Sequence, residues 1–322
     1  MQSYTLGIDI GGTKIALGVL SSEFHLLARR EFPYDPARTA EETFARLAAQ
    51  IRDCLSDAGA EAAAVTHVGV GLPGVLSPDR RSLKFAPNAA LFNAFPLYDA
   101  LQSLFPGAAL RMENDANAAC LAESRLGAGQ GFSNMLYATI STGIGCGLIL
   151  DGKLYRGSRL SAGEIGHMRI YPGGEACGCG GRGCAEAYAG GANYPRRIRR
   201  RIDAGEQTAM AALAAEHGGA IDGRVLSAAL GLDDPMAREV FGEICAALGL
   251  LFYNINKLLD LDAFVLGGGL TNLGEPLFDG VRREYAALCT PMDDPADGRF
   301  LPAHFSSAEI GIFGAAMAAH QA

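Results

Sequence analysis

The chain is 322 residues long with a formal charge of −8, and 49% of its residues are apolar. That length holds two domains of ordinary size, and the apolar fraction excludes a disordered or fibrous protein. The acidic balance argues against nucleic acid as a partner, and no apolar run reaches membrane-spanning length.

The start, MQSYTLGIDIGGTK, lacks the basic opening and unbroken apolar core of a signal peptide, so a cytoplasmic enzyme is the expectation. YTLGIDIGGTKIALGVL (4–20) then reads as a β-hairpin on the turn Gly11-Gly12-Thr13. Apolar residues at helical spacing follow in 39–59, with Thr39 as N-cap and Gly59 as stop. HVGVGLPGVL (67–76) is a short buried strand running into a Gly/Pro turn. RMENDANAACLAESRLGAG (111–129) goes strand, turn, helix, with Asn114 or Asp115 at the cap and Gly127 as the stop. MLYATISTGIGCGLILDGKLYRG (135–157) repeats the opening theme, which suggests two related halves facing across a cleft. DLDAFVLGGGLTN (260–272) is a buried strand ending in three glycines, and IGIFGAAMAAHQA (310–322) is an apolar helix expected to pack back on the first half.

Asp9, Gly11, Gly12, Thr13 and Lys14 form one candidate phosphate site. Glycines let backbone approach phosphate oxygens, Thr and Lys add donors, and an Asp at a strand end can hold Mg²⁺ through water. Ser141, Thr142, Gly143, Gly145 and Gly147 form a second, with Gly267, Gly268 and Gly269 clearing space for a nucleotide ring or ribose. Each alone is equally an ordinary glycine turn; together they favour a nucleotide cleft. Asp115 is the candidate base. A helix N-terminus favours its ionised form and would let it take a proton from a substrate hydroxyl, which is most of what phosphoryl transfer asks of a base. The competing reading makes it only an N-cap.

His167, Cys177, Cys179 and Cys184 supply a complete tetrahedral set for Zn²⁺, structural because no position stays open. A single disulfide or free thiols is the alternative. Glu164 and Glu186 lie within three residues of these ligands, so a bound metal would aim both carboxylates at one place, as gripping a polyol requires. Surface glutamates are the bland alternative, and Glu175 reads as solvated. PRRIRRR (195–201) reads as a solvated helix face.

LGIDIGGTKIALGVL, ENDANAA, STGIGCGLI, AGEIGH, CGCGGRGCAEAY and VLGGGL, in this order across nearly the whole chain, resemble the ROK family of bacterial sugar kinases and sugar-responsive repressors. The resemblance implies an α/β, two-domain actin/hexokinase-like (ribonuclease H-like) fold, with ATP and Mg²⁺ in the cleft and sugar between the domains. The expected division is 1–117, joined by the C-terminal helix 308–322, and a larger domain 118–307 with the zinc-binding loop. The resemblance makes Asp115 the catalytic base. It makes Asn114, Glu164, His167 and Glu186 the sugar-binding set, with Gly74 and Asn88 as lesser contacts. His167 would serve zinc with one ring nitrogen and sugar with the other. A homodimer is the implied assembly.

Ala189 and Gly190 stand where family members often carry serine, Cys146 where Gly is usual, and DLDAF replaces an Asp-Pro. The implied activity is an ATP-dependent glucokinase acting on the 6-hydroxyl, with an N-acetylmannosamine or N-acetylglucosamine kinase next and a fructokinase after that. A sugar-sensing repressor would need a helix-turn-helix, and here the phosphate hairpin begins within ten residues of Met1.

Overall fold

Two sheets of matching strand order frame the molecule, in a computed structural model that describes residues 3–294 and 298–321. Residues 1, 2 and 322, at the ends of the expected domain ranges, lie outside it. The first half runs β1 (Tyr4–Ile10), β2 (Lys14–Leu20), β3 (Leu26–Pro33), α1 (Ala40–Asp57), β4 (Val65–Leu72), a small hairpin β5 (Val75–Leu76) and β6 (Leu83–Phe85), α2 (Leu97–Leu104) and β7 (Ala109–Asn114). Its sheet has the order β3-β2-β1-β4-β7, antiparallel through β1 and parallel beyond it.

Helix α3 (Asp115–Leu126) leaves β7 directly. The second half then runs β8 (Met135–Ile140), β9 (Ile144–Leu150), β10 (Lys153–Leu154), α4 (Ala185–Ala189), α5 (Tyr194–Asp203), α6 (Ala209–Glu216), α7 (Gly223–Gly231), α8 (Pro235–Leu259), β11 (Ala263–Gly267), α9 (Glu275–Leu288), β12 (Phe300–Pro302) and α10 (Ile310–Ala319). Its sheet, β10-β9-β8-β11-β12, repeats the first pattern: two antiparallel steps, then two parallel ones. The duplication suggested by the two hairpins therefore extends to whole sheets.

Local chemistry accounts for the ends of these elements. Thr39 Oγ1 accepts from the Glu42 N–H at 3.2 Å while Glu42 Oε2 accepts from the Thr39 N–H at 3.0 Å, a reciprocal cap that starts α1. The helix buries Leu47, Ile51, Cys54 and Leu55 against the first sheet's core and stops before Gly59, whose φ is +64°. Asp234 caps α8 and also accepts from the Thr208 hydroxyl and the Ala209 N–H, so one buried carboxylate starts two helices. The unusual 260–262 segment has a comparable use: Asp262 Oδ2 takes the N–H groups of Ser133 and Asn134, tying the entry of β11 to that of β8.

Glycines set how closely helices lie on the sheets. A Cβ on Gly7 or Gly69 would overlap the carbonyl oxygens of Ile312 and Ala315, so α10 rests its backbone on β1 and β4. In the second sheet Gly145 and Gly147 face α3, where their Cβ atoms would lie 3.3 Å from Ala116 Cβ and 2.8 Å from Ala116 O. The two helices cross at Gly314, whose Cβ would sit 2.5 Å from the backbone of Ala118. Helix α3 thus springs from the first sheet and lies on the second, and the expected boundary at 117 falls inside it. The end of α10 is fastened by His320, which stacks on His67 at 3.8 Å and shares a 2.8 Å hydrogen bond with Thr5. Burial holds the His320 imidazole down to about 4, so the stack is neutral. Among the described residues no helix is long and apolar enough to cross a membrane.

Candidate functional site

Strand β7 delivers the sequence Glu113-Asn114-Asp115 to the start of α3, and each side chain takes a separate task. Asn114 is the N-cap: its Oδ1 accepts from Ala116 and Asn117 at 3.0 and 3.1 Å, and its Nδ2 donates to Gly74 O at 3.2 Å. Asp115 is therefore released from the cap, although its Oδ1 still takes the Ala116 N–H at 2.8 Å. Asp115 is exposed to solvent, yet protein atoms crowd closely around its carboxyl group. Burial is the main reason that its pKa is pushed up to about 6; the Ala116 and Asp115 N–H groups pull it down, and Glu164 adds to the rise. This corrects the expectation of a helix end acting alone: the N-terminus does favour the anion, but desolvation outweighs it. Asp9 behaves the same way, raised to about 6 by burial and then by Asp115, with Lys14 opposing. Asp115 thus feels the charge of Asp9 on one side and of Glu164 on the other, which brings the end of β1 and the 163–167 segment close to the start of α3.

Glu113 carried no signal in sequence beyond standing next to Asn114. It is buried, and takes Arg156 Nε at 2.7 Å, Arg80 Nη1 at 3.4 Å and the amide of Asn117 at 3.2 Å. Arg156 comes from beyond β10 and also reaches Gln321 after α10, so Glu113 ties the second half and the chain's end to the residue preceding the cap. A buried carboxylate flanked by two guanidiniums satisfies the pairing that burial demands.

The first glycine turn is closed by a 2.9 Å bond from the Gly11 N–H to Lys14 O, and a Cβ on Gly12 would stand 3.0 Å from Asn88. Lys14 opens β2 and pairs with Glu31 across the sheet at 3.1 Å, so its ammonium is already engaged. The second turn is only Ser141–Gly143; Gly145 and Gly147 lie within β9 against α3, and the sequence reading that put them in the loop is corrected by the strand register. Of the three later glycines, Gly269 faces open space beside Ser141. Gly267 packs on the Tyr137 hydroxyl, and Gly268, at φ +90°, packs on the backbone of Ile140. A cavity of about 610 Å³ opens there, lined by Ser141, Thr142, Gly269, Tyr194, Arg224 and Asn272 among others. Tyr194 and Arg224 lie on helices with no phosphate-loop pattern, and Asn272 closes the glycine-rich stretch at 267–269 without a pattern of its own.

The loop between β10 and α4 gathers His167, Cys177, Cys179 and Cys184 so that their donor atoms all lie within 4.8 Å of one another. His167 Nδ1 is 3.7 Å from Cys177 Sγ, and Cys179 Sγ is 3.7 Å from Cys184 Sγ. Metal–sulfur bonds of about 2.3 Å at tetrahedral angles require sulfurs about 3.8 Å apart, so the donor set fits Zn²⁺. Burial pushes the Cys184 thiol up to about 12 and raises Cys177, while the Gly181 N–H lowers Cys179. Crowded thiols of this kind need a cation before they all ionise. With Nδ1 turned to Cys177, no hydrogen bond to His167 Nε2 is found among the described residues.

Glu186, on α4, accepts from the Ile144 N–H at 2.9 Å, and Oε1 lies 3.9 Å from Cys177 Sγ. The basic run is not uniformly solvated. Arg197 is buried, donates to the carbonyls of Tyr188 at 3.1 Å and Ala187 at 3.4 Å, lies over the Tyr188 ring at 5.1 Å, and pairs with Glu243 of α8. It closes the C-terminal end of α4, where a cation is favoured. Arg200 and Arg201 do lie at the surface, paired with Glu175, Glu206 and Glu239.

The ROK family model matches residues 5–322. The chain belongs to the ROK family. Among relatives in the family, a glucokinase from Streptomyces coelicolor is 35% identical over 287 residues, covering 87% of this chain and 86% of that one. An N-acetylmannosamine kinase from Vibrio vulnificus is 35% identical over 266 residues, covering 82% of each. A solved ROK family glucokinase from Streptomyces griseus, in complex with glucose and AMPPNP, superposes with a TM-score of 0.81 at 34% identity, over 99% of this chain and 100% of that one. The fold is accordingly the actin/hexokinase-like one that the resemblance implied.

Proposed function

We propose that this protein is a glucokinase, transferring the γ-phosphoryl group of ATP to the 6-hydroxyl of glucose bound between the two halves. An ATP-dependent sugar kinase follows from the family and from relatives that carry that activity in their names; glucose as the acceptor is the finer reading. The observation that carries it is the placing of Asp115 at the start of α3, freed from capping by Asn114 and near enough to Asp9 and to Glu164 to feel the charge of each, with its pKa pushed up to about 6.

A carboxylate so poised is ionised at neutral pH yet basic enough to take the proton of an attacking hydroxyl. The sugar oxygen forms its bond to the γ-phosphorus as the bond to the β,γ-bridging oxygen breaks, and the hydroxyl proton goes to Asp115. The two glycine turns offer backbone N–H groups to the phosphates, and the 610 Å³ cavity beside Ser141 and Gly269 takes the nucleoside. Mg²⁺ held through water at Asp9 would supply charge neutralisation on the transferred group. Glu164, Glu186 and His167 Nε2 are assigned to the sugar hydroxyls, with Asn88 and Gly74 at the edge. Asn114 supports them by fixing Gly74 O. Zn²⁺ in the Cys₃His set would have no open position and so serves structure alone. The lobes divide within α3, and a homodimer is the expected assembly.

N-acetylmannosamine kinase is the second reading, favoured by a relative of equal identity to the glucokinase. A coupled assay for ADP release over glucose, N-acetylmannosamine, N-acetylglucosamine, mannose and fructose decides between them. The highest kcat/KM is expected with glucose; a preference for N-acetylmannosamine replaces the first reading with the second. No turnover with any sugar in metal-replete protein leaves a sugar-binding regulator.

A further inference from the structure

Glu186 is boxed in from three sides. Its Oε2 takes the N–H of Ile144, the first residue after the second glycine turn, and a Cβ on Gly143 would collide with that same oxygen and stand 3.2 Å from Cδ. Cys177 of the donor loop lies 3.9 Å from Oε1, and a Cβ on Gly190 would sit 2.8 Å from Cγ. The chain following α4 is fastened to the same turn: the Gly191 N–H donates to Ser141 O at 2.7 Å and the Ala192 N–H to Thr142 O at 2.9 Å. Two hydrogen bonds therefore join the exit of α4 to a turn of three residues and a third joins Glu186 to the residue that follows it, so the turn and the Glu186 carboxylate are fastened together.

We infer that Glu186 is a positioning residue for the nucleotide as well as a sugar ligand, so that each substrate sets the other's site through the Glu186–Ile144 bond and the Gly143 contact. The inference rests on the reading that Glu186 faces sugar. A carboxylate offers about four lone-pair directions, and Ile144 uses one. Sugar hydroxyls donating to the others fix the carboxylate, and the carboxylate fixes the N–H groups of the turn that meets phosphate. Phosphate binding at the turn fixes the carboxylate in return, because linkage between two binding equilibria is reciprocal. Gly143 has no positive φ, so its lack of a side chain is explained by the space Glu186 fills and not by backbone conformation.

The test is a nucleotide-turn substitution read out on sugar binding with no nucleotide present. In Gly143→Ala the new methyl displaces Oε2. Calorimetric titration with glucose, and separately with N-acetylmannosamine, is expected to show at least about tenfold weaker binding than wild type, the effect of losing one or two charge-assisted hydrogen bonds. Thr142→Ala, in the same turn but without contact to Glu186, keeps the nucleotide-free sugar affinity within about twofold while weakening AMPPNP. The reciprocal variant Glu186→Asp, too short to span the gap to Ile144, binds AMPPNP at least about fivefold more weakly in the absence of sugar. It keeps the question open to decision if Gly143→Ala does not accumulate. Wild-type sugar affinity in Gly143→Ala, or wild-type AMPPNP affinity in Glu186→Asp, overturns the link. Failure of wild type itself to bind either sugar overturns the underlying site reading instead.

Discussion

The turn at 11–13 and the turn at 141–143 occupy equivalent places in two sheets of the same order, yet they are braced differently. The first is held by its own hairpin bond, by the Tyr34 N–H donating to Thr13 O at 3.0 Å, and by the approach of Gly12 to the exposed residue Asn88. Its flanking cation, Lys14, is engaged with Glu31 in a half-exposed pair of the kind that contributes little. The second is clamped by Glu186, Gly191 and Ala192, all of them downstream of a loop gathered by four donor residues. Repeating a scaffold therefore does not repeat its stiffness: the supports come from insertions outside the repeat, and only the second half carries the Cys/His loop.

The largest effect should come from the residue between the turns. Asp115→Asn is expected to lower kcat by about 10³-fold or more, within the range for a lost general base, while glucose binds within about threefold of wild type by calorimetry. Removing a carboxyl whose folded pKa lies above the ordinary value also removes a penalty present at neutral pH, so the melting temperature should hold or rise. A variant retaining wild-type turnover excludes Asp115 as the base.

Cys179→Ser tests the brace itself. Metal content measured by elemental analysis should fall, because one of the four donors is lost, and KM should rise for both sugar and ATP because both lean on α4. A rise for sugar alone would separate the loop from the second turn. The pH profile comes next. Asp115 must be deprotonated to act, and its pKa is raised, so log kcat/KM should fall below an apparent pKa near about 6. Asp9 titrates beside it, which steepens the limb toward two protons. Activity flat down to pH 5 would contradict both. The smallest effect is expected from Gly12→Ala, the mirror of the nucleotide-turn substitution in the second half. Its methyl meets Asn88 and touches neither Glu164 nor Glu186, so nucleotide-free sugar affinity should change by less than about threefold. A loss as large as that of Gly143→Ala would erase the asymmetry.

Elements with strong local signals were legible in the sequence. The glycine hairpin, the Thr39 N-cap and the Cys₃His spacing each announce themselves within a few residues; the hairpin and the cap stand as read, and the four donors do gather. What the sequence hid depends on long-range placement. Gly145 looks like loop chemistry until the register pairs it with Thr139 and turns it to α3. Arg197 looks like any arginine in a basic run, because its acceptors are carbonyls at the end of another helix. Glu113 has partners more than 30 residues away on either side. The rise in the Asp115 pKa is hidden for the same reason, since desolvation is a property of the assembled fold.

The crossing of α3 and α10 at Gly314 and Ala118 has a further consequence. Backbone approaches backbone there because Gly314 carries no side chain toward Ala118, so the helices that carry the two sheets bear on each other at one close point. A methyl group added at Gly314 would act as a wedge in that bearing, and its displacement would be magnified with distance, so that a change of one carbon far from any ligand would be felt at the mouth of the cleft.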